Sequence, residues 1–321
     1  MALVIIGCGW IARRHATAAR ALGLPVVFAS RDAARARAYA REFGGVAAYG
    51  SYDEALRHEG TRGAIICTPH DRHVADVLAA IAAGHHVLVE KPIACTLDEA
   101  DRMIAASARA GRVLMVAENF RFMPGFRAVR RLIDDGALGA LRELHLVARG
   151  FRHRTGWRCA PGAGGGALID GGIHYVHALR WWGGEVRRVF ALRPPQTLDM
   201  VGEDSVDLLA ELEGGAVGVL ANSLAARGVP RFQWSSVTGT GGTCFVDNRG
   251  RFVVVRGEAG LRVRVFRRDV RGHTAMLKAF DLAMTNGRAD EMDGHAGRRD
   301  LAVVLAAYRS IAERRPVDLA C

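Results

Sequence analysis

The chain has 321 residues, half of them hydrophobic and 24% charged, with a formal charge of +11. That length is generous for one hydrophobic core and comfortable for two, and no apolar run approaches the roughly 18 residues that would suggest a membrane span. The basic residues are spread along the whole sequence with no recognised nucleic-acid motif beside them, so an arginine-rich solvated surface is expected, with neither nucleic acid nor membrane as partner.

In chain order, "ALVIIG" is a buried-strand run, followed by a helix "WIARRHATAARALG" closed by Gly23. The opening "MALVIIGCGW" lacks a basic leader and runs straight into a glycine motif, so it is expected to be a first strand and not a signal peptide. "PVVFAS" is the second strand. "SYDEALRHEG" opens with Ser51 and Glu54 at capping-box spacing. "GAIICTP" is a strand, "DRHVADVLAAIAAG" a helix stopped by Gly84, and "HVLVE" a strand. "TLDEADRMIAASARAG" begins with a second capping box, Thr96 and Glu99, and "RVLMVAEN" closes the series. Continuous apolar strands alternating with crossover helices predict a parallel sheet covered on both faces.

After about residue 120 the pattern changes, which predicts a dinucleotide-binding domain over 1–120 and a second domain over 121–321. "GFRAVRRLIDDGALG" reads as a helix, "CAPGAGGGALIDGG" as a glycine-rich loop and "IHYVHALRWWG" as a helix. From residue 205 the chain is β-rich: "SVDLLAELEGGAVGVLANS" alternates and turns at Gly214 and Gly215, and "TCFVDNRGRFVVVRGEAGLRVRVF" continues as antiparallel strands. Two helices close the chain. Six cysteines, Cys8, Cys67, Cys95, Cys159, Cys244 and Cys321, are scattered without a CxxC pair. Reduced thiols in a cytoplasmic enzyme are the expectation.

"IIGCGWIA" sets Gly7, Gly9 and Ala12 at GxGxx(G/A) spacing between a strand and a helix, with Trp10 and Ile11 opening that helix. Glycine permits the tight turn and the close approach of a pyrophosphate, and the helix N-terminus supplies N–H donors. The end of the second strand chooses the cofactor, because an acid there bonds the ribose 2′-OH of NAD. Here Ser30 takes that place, followed by Arg31 and, one turn later, Arg35. A hydroxyl and guanidinium groups suit the 2′-phosphate of NADP(H). Asp32, anionic and close, is the one residue that argues for NAD instead.

With "IICTPHDRHVADVLAAIAAGHHVLVEKPIACTLDEA", "ENFRF" and "GGGALIDGGIHYVHALRWWGGEV" the sequence resembles the Gfo/Idh/MocA family of oxidoreductases, and later stretches such as "VTGTGGTCFVDNRG" extend the resemblance over essentially the whole chain. The resemblance implies an α/β fold: an N-terminal Rossmann domain with a parallel sheet, and a C-terminal α/β domain with a large, open, mostly antiparallel sheet that often forms the interface of a homodimer or homotetramer. It implies that cofactor and substrate meet between the domains, the substrate being a sugar, cyclitol or related polyhydroxy compound. By match to the family's EKP and DxxxH motifs, Lys91, Asp170 and His174 would be catalytic. Thr68, Pro69, His73, Glu90 and Lys91 would lie near the nicotinamide half of the cofactor, Asn119 would belong to the same set, and Trp157 and Arg158 match a WR pair that lies against the nicotinamide in some NADP-dependent members. One departure is His177, where many members carry aspartate.

The residues themselves support a chemistry. Two of the 44 basic residues are lysine, Lys91 and Lys278. At the end of a buried strand, where open α/β sheets bind ligands, an ammonium can lose a proton when desolvated and a guanidinium cannot. Asp170 and His174 lie four apart and share a face at a helix start, a spacing that lets a histidine exchange a proton near neutral pH. Which of Lys91 and His174 is the immediate acid or base stays open in the sequence. Asp170, His174 and His177 also fit three ligands of a divalent ion, but a nicotinamide hydride mechanism with a lysine needs none, and no metal is assigned. "RGFRHRTGWR" packs Arg149, Arg152, Arg154 and Arg158 before the glycine-rich loop, which reads either as solvated surface or as a clamp for an anionic substrate or cofactor phosphate. Two other functions are compatible with the family resemblance, a glycoside hydrolase using tightly held NAD and a non-catalytic ligand sensor.

Overall fold

In a computed structural model of the chain, positions 2–319 are described apart from 154, 161, 162, 231, 232 and 259. Arg154 of the basic loop and Cys321 therefore lie outside the described residues. The chain forms two compact units, one of Met1–Glu118 with His273–Arg298, the other of Asn119–Gly272 with Arg299–Cys321.

The first unit is built on strands β1 (Ala2–Ile6), β2 (Val26–Ala29), β3 (Ala47–Tyr49), β4 (Thr61–Ile66), β5 (His86–Glu90) and β6 (Leu114–Ala117). They form one sheet in the order β3-β2-β1-β4-β5-β6, parallel throughout. Its helices are α1 (Trp10–Ala21), α2 (Ala33–Phe43), α3 (Tyr52–Leu56), α4 (His73–Ala82) and α5 (Leu97–Arg109). Every residue of β1, β2 and β6 is buried, as a sheet covered on both faces requires. The expected capping box of α5 is complete: the Glu99 N–H donates to Thr96 Oγ1 at 3.2 Å and the Thr96 N–H donates to Glu99 Oε2 at 3.2 Å. At α3 one half is made, the Glu54 N–H donating to Ser51 Oγ at 3.4 Å, and the helix lasts five residues. The sequence reading did not mark out α2 by its own apolar pattern: its inward stripe is Ala33, Ala36, Tyr39, Ala40 and Phe43, small residues apart from the two aromatics, and Ala36 is its one fully buried residue. The helix His273–Asn286 joins this unit, and Gly63 of β4 leaves room for it: a Cβ there would lie 2.5 Å from Met284 Sδ.

The second unit carries a nine-stranded sheet: β7 (Leu141–Arg149), β8 (Val186–Leu192), β9 (Ser205–Leu212), β10 (Val217–Ser223), β11 (Trp234–Gly239), β12 (Gly242–Asp247), β13 (Phe252–Gly257), β14 (Gly260–Val265) and β15 (Val317–Asp318). The order is β14-β13-β12-β11-β7-β10-β9-β8-β15, with β7 and β10 the one parallel pair. The hairpin read at Gly214 and Gly215 joins β9 to β10, with Gly215 at a φ of 80°. The expected α/β class, one parallel sheet and one large mostly antiparallel sheet, is the observed one. Helices α6 (Pro124–Asp134) and α7 (Ile173–Gly183) belong to this unit.

A buried polar network anchors α7. The His177 ring pairs through Nδ1 with Asp300 Oδ2 at 3.0 Å, and the Arg180 guanidinium donates to Asp300 and, from Nε at 2.8 Å, to Glu185. Asp300 lies in the helix Gly294–Glu313 and is 2% exposed. Burial alone would raise its carboxyl pKa, but the His177 and Arg180 charges outweigh it and hold it below the ordinary value. A carboxyl depressed in the folded state contributes stability above its unfolded pKa and loses it as pH falls through the folded one. Asp300→Asn is expected to destabilise by about 3 kcal/mol at neutral pH, the scale of breaking a buried ion pair. The deficit should shrink as pH falls below the ordinary carboxylate range. Urea unfolding of both proteins across pH checks this, and a deficit independent of pH would contradict it.

Candidate active site

In the first unit the parallel sheet brings the carboxyl ends of β1, β2, β4 and β5 to one edge. The turn after β1 holds Gly7 at a φ of 93°, where a Cβ would lie 3.0 Å from the Cys67 carbonyl oxygen. Gly9 is different. Its backbone is extended and a Cβ there would meet nothing within 4 Å, so neither conformation nor protein packing demands glycine. Space kept clear in front of a helix suits a ligand's close approach. The first turn of α1 contains no acidic residue and no side chain caps its N-terminus, which leaves backbone donors and the positive end of the helix dipole for an anion. Trp10 at the start of α1 is 68% exposed and lies under the Arg14 guanidinium, while Ile11 is half-buried and Ala12 buried. Tyr39 of α2 donates from its hydroxyl to the Gly9 carbonyl at 2.9 Å, a brace that sequence reasoning missed because no motif marks it.

Beyond β2, Ser30 is buried and its Oγ accepts from the Asp32 N–H at 3.2 Å. Asp32, the residue that argued for NAD, is the N-cap of α2: its Oδ1 accepts from the N–H groups of Ala34 at 3.0 Å and Arg35 at 3.2 Å. Its carboxylate is thus turned to its own helix. Arg31 and Arg35 are exposed.

Beyond β4, Thr68 is buried and its Oγ1 has no hydrogen-bond partner. Pro69 follows, half-buried. His73 is fully buried and bridges two strand ends, its Nδ1 facing the Pro92 carbonyl at 2.9 Å and its Nε2 the Thr68 carbonyl at 3.1 Å. Burial depresses its pKa, the two carbonyls opposing that effect. His73 therefore ties the loop carrying Thr68 to the loop carrying Lys91. Glu90 ends β5 and is buried with Oε1 2.7 Å from His15 Nε2. Burial pushes Glu90 up, but the His15 bond and the nearby charges of His15 and Lys91 outweigh it and hold the carboxyl below its ordinary value. His15, on α1 and fully buried, is a second residue the sequence reading missed. Lys91 stands immediately after β5 and is half-buried. An uncapped helix start, a cleared glycine and an orphaned threonine hydroxyl along one sheet edge fit a dinucleotide.

In the second unit, Leu168–Gly172 winds as a π turn before α7. Asp170 lies inside that wider turn and His174 is the second residue of α7, so the expected shared face of one regular helix is replaced by a junction of two windings. Arg158 donates from Nε to Asp170 Oδ2 at 2.9 Å, and its guanidinium lies 4.4 Å from the Trp157 ring. The His174 ring stacks on Phe120 with centroids 4.5 Å apart and planes 10° apart. Asn119 donates from Nδ2 to the Arg271 carbonyl at 2.8 Å. Two further residues hold the π turn. Glu203 accepts from the Leu168 N–H at 2.7 Å and from the Tyr308 hydroxyl at 3.0 Å, while Tyr308 Oη accepts from the Ile169 N–H at 3.2 Å. Glu203 and Tyr308 are distant in sequence from the motif they support, and nothing in their spacing announced them. In the glycine-rich loop a Cβ at Gly165 would lie 2.1 Å from the Arg158 carbonyl oxygen.

The five cysteines within the described residues are all free. Burial pushes the thiols of Cys8, Cys95 and Cys244 up to about 12. Among the described residues no helix is long and apolar enough to cross a membrane.

Residues 1–118 match the family model described as oxidoreductase family, NAD-binding Rossmann fold, and residues 126–245 match the model of the GFO/IDH/MocA C-terminal domain. A trans-1,2-dihydrobenzene-1,2-diol dehydrogenase of Oryctolagus cuniculus is 32% identical over 242 residues, 70% of this chain and 69% of that one. The match to its Mus musculus counterpart covers 60% of that protein. Myo-inositol 2-dehydrogenase of Thermotoga maritima is 27% identical over 99% of this chain and 98% of its own. Among solved structures, the aldose-aldose oxidoreductase of Caulobacter crescentus complexed with glycerol superposes with a TM-score of 0.90 at 25% identity, covering 99% of each chain. On sequence and fold together, the chain belongs to the Gfo/Idh/MocA family of oxidoreductases, with an NAD-binding Rossmann domain at its N-terminus.

Proposed function

We propose that this protein is an NADP(H)-dependent oxidoreductase that moves a hydride to or from a hydroxyl or carbonyl carbon of a sugar, cyclitol or related polyhydroxy compound. The observation that carries the cofactor choice is the end of β2. Asp32, the one acid there, caps α2 through Oδ1 and pairs through Oδ2 with Arg35 Nε at 3.9 Å, which leaves the Ser30 hydroxyl and the Arg31 guanidinium for a 2′-phosphate, with Arg35 one turn away. The substrate class is supported by relatives named for oxidising inositol and dihydrodiols.

The nicotinamide, when bound, supplies the hydride acceptor or donor. The chain's own residues supply the proton and the orientation. Lys91 is the first residue past β5, beside the Glu90 carboxylate that His15 holds, and its amino group would give a proton to the substrate oxygen in one direction of the reaction and take it back in the other. His174 is held flat against Phe120 and Asp170 is fixed by Arg158, so both side chains are positioned before substrate arrives, to share in handling its hydroxyls. His73 keeps the loops of Thr68 and Lys91 in register.

We also read the apolar side chains exposed on the second sheet, among them Leu209, Val217, Phe245 and Val263, as a surface covered by a second copy of the chain. Light scattering should give the mass of a dimer or tetramer, and a monomer would count against it.

Ser30→Asp should move the cofactor preference toward NAD(H) by adding charge repulsion against the 2′-phosphate. Titration of both cofactors against both proteins measures this, and tighter NAD(H) binding by the unaltered protein would refute NADP(H). Lys91→Arg keeps the charge but removes a group able to titrate. Cofactor affinity should survive nearly intact while turnover falls by roughly 10²-fold or more, the scale of a lost general acid or base. The pH–rate profile should lose one limb. Turnover near the wild-type rate would mean that Lys91 serves as charge alone.

A further inference from the structure

A cleft of about 350 Å³ in the first unit is lined by Ile6, Arg31, Tyr52, Leu56, Arg72 and Asp76, with the exposed Asp53 and smaller residues between them. Ile6 ends β1 and Arg31 follows β2, so the cleft begins at the proposed 2′-phosphate position and extends from it. In a dinucleotide the group attached to that ribose is the purine base. The cleft suits one: Ile6 and Leu56 give it apolar walls, and the two arginines offer planar cations that stack on a π face.

Asp76 is the residue that a purine pocket by itself does not explain. It stands in the first turn of α4 and is 6% exposed. Its Oδ1 accepts from Arg72 Nη2 at 2.9 Å. Its Oδ2 is buried and has no hydrogen-bond partner. A buried carboxylate oxygen without a donor is unfavourable, and an ionised carboxylate can only accept. The group that completes it must therefore bring an N–H or O–H.

We propose that Asp76 reads the adenine of the cofactor by accepting a hydrogen bond from the exocyclic amino group; this rests on the dinucleotide reading above. Hypoxanthine and guanine carry a carbonyl oxygen at that position, and oxygen would face oxygen. Arg72, held by the other carboxylate oxygen, stacks on the base and keeps Asp76 oriented. Asp76 is thus a specificity-determining residue for the base, independent of the Ser30 and Arg31 pair that addresses the ribose.

The test compares dissociation constants for NADPH and for its hypoxanthine analogue, by calorimetry on the purified protein. The unaltered protein should bind the analogue at least about tenfold more weakly, the scale of a lost hydrogen bond to a charged group. Asp76→Ala should bring the ratio close to one by weakening the adenine form, and Asp76→Asn, whose amide can donate to a carbonyl, should favour the analogue relative to wild type. Circular dichroism checks that each variant folds, and the wild-type ratio stands even where one does not. Equal affinity in the wild type, or an unchanged ratio in Asp76→Ala, would overturn the assignment of Asp76 while leaving the cofactor reading intact. Failure of either dinucleotide to bind the wild type would overturn both.

Discussion

Parallel strands all finish on the same side of their sheet, and in the first unit this collects Gly7 after β1, Ser30 after β2, Thr68 after β4 and Lys91 after β5 along one edge. Residues more than eighty positions apart thereby share a surface without any long-range motif. Two of the polar groups buried behind that edge are tied to specific partners: Glu90 by His15, and His73 by two backbone carbonyls. These ties fix where the functional loops leave the sheet. An edge set this firmly can present backbone donors to an anion with little reorganisation.

The second unit solves a different problem. Its sheet is antiparallel apart from one strand pair, so strand ends do not converge, and the candidate side chains Asp170 and His174 come from a helix junction instead. The π turn at Leu168–Gly172 widens the winding just where Asp170 must meet Arg158, and Glu203 with Tyr308 satisfies the backbone donors that this winding frees. The Asp300 network then anchors the far side of α7. His177, the departure noted in the sequence, pairs with a carboxylate from the C-terminal helix Gly294–Glu313.

Much of this was legible in the sequence. The apolar strands, the glycine loop and the capping box of α5 each rest on local chemistry, and local chemistry is what a sequence displays. Helix α2 was less so, since its inward face is made of alanines with Tyr39 and Phe43, and Ala36 is its one fully buried residue. The supporting residues were also hidden. His15, Tyr39, Glu203 and Tyr308 act through contacts with residues 30 or more positions away, and their own neighbours in sequence carry no sign of it. Asp32 shows the converse: sequence alone weighed its charge against NADP(H), and the geometry shows the charge capping a helix.

The central claim is that a substrate carbinol hydrogen leaves as hydride while side chains of this protein take the proton. A polyol or cyclitol deuterated at the oxidised carbon, incubated with the protein and NADP, tests it in one measurement. Deuterium should appear on the reduced nicotinamide, with one equivalent of cofactor reduced for each substrate oxidised. Loss of the label to water, or consumption of a glycoside with no net reduction of the cofactor, would contradict it.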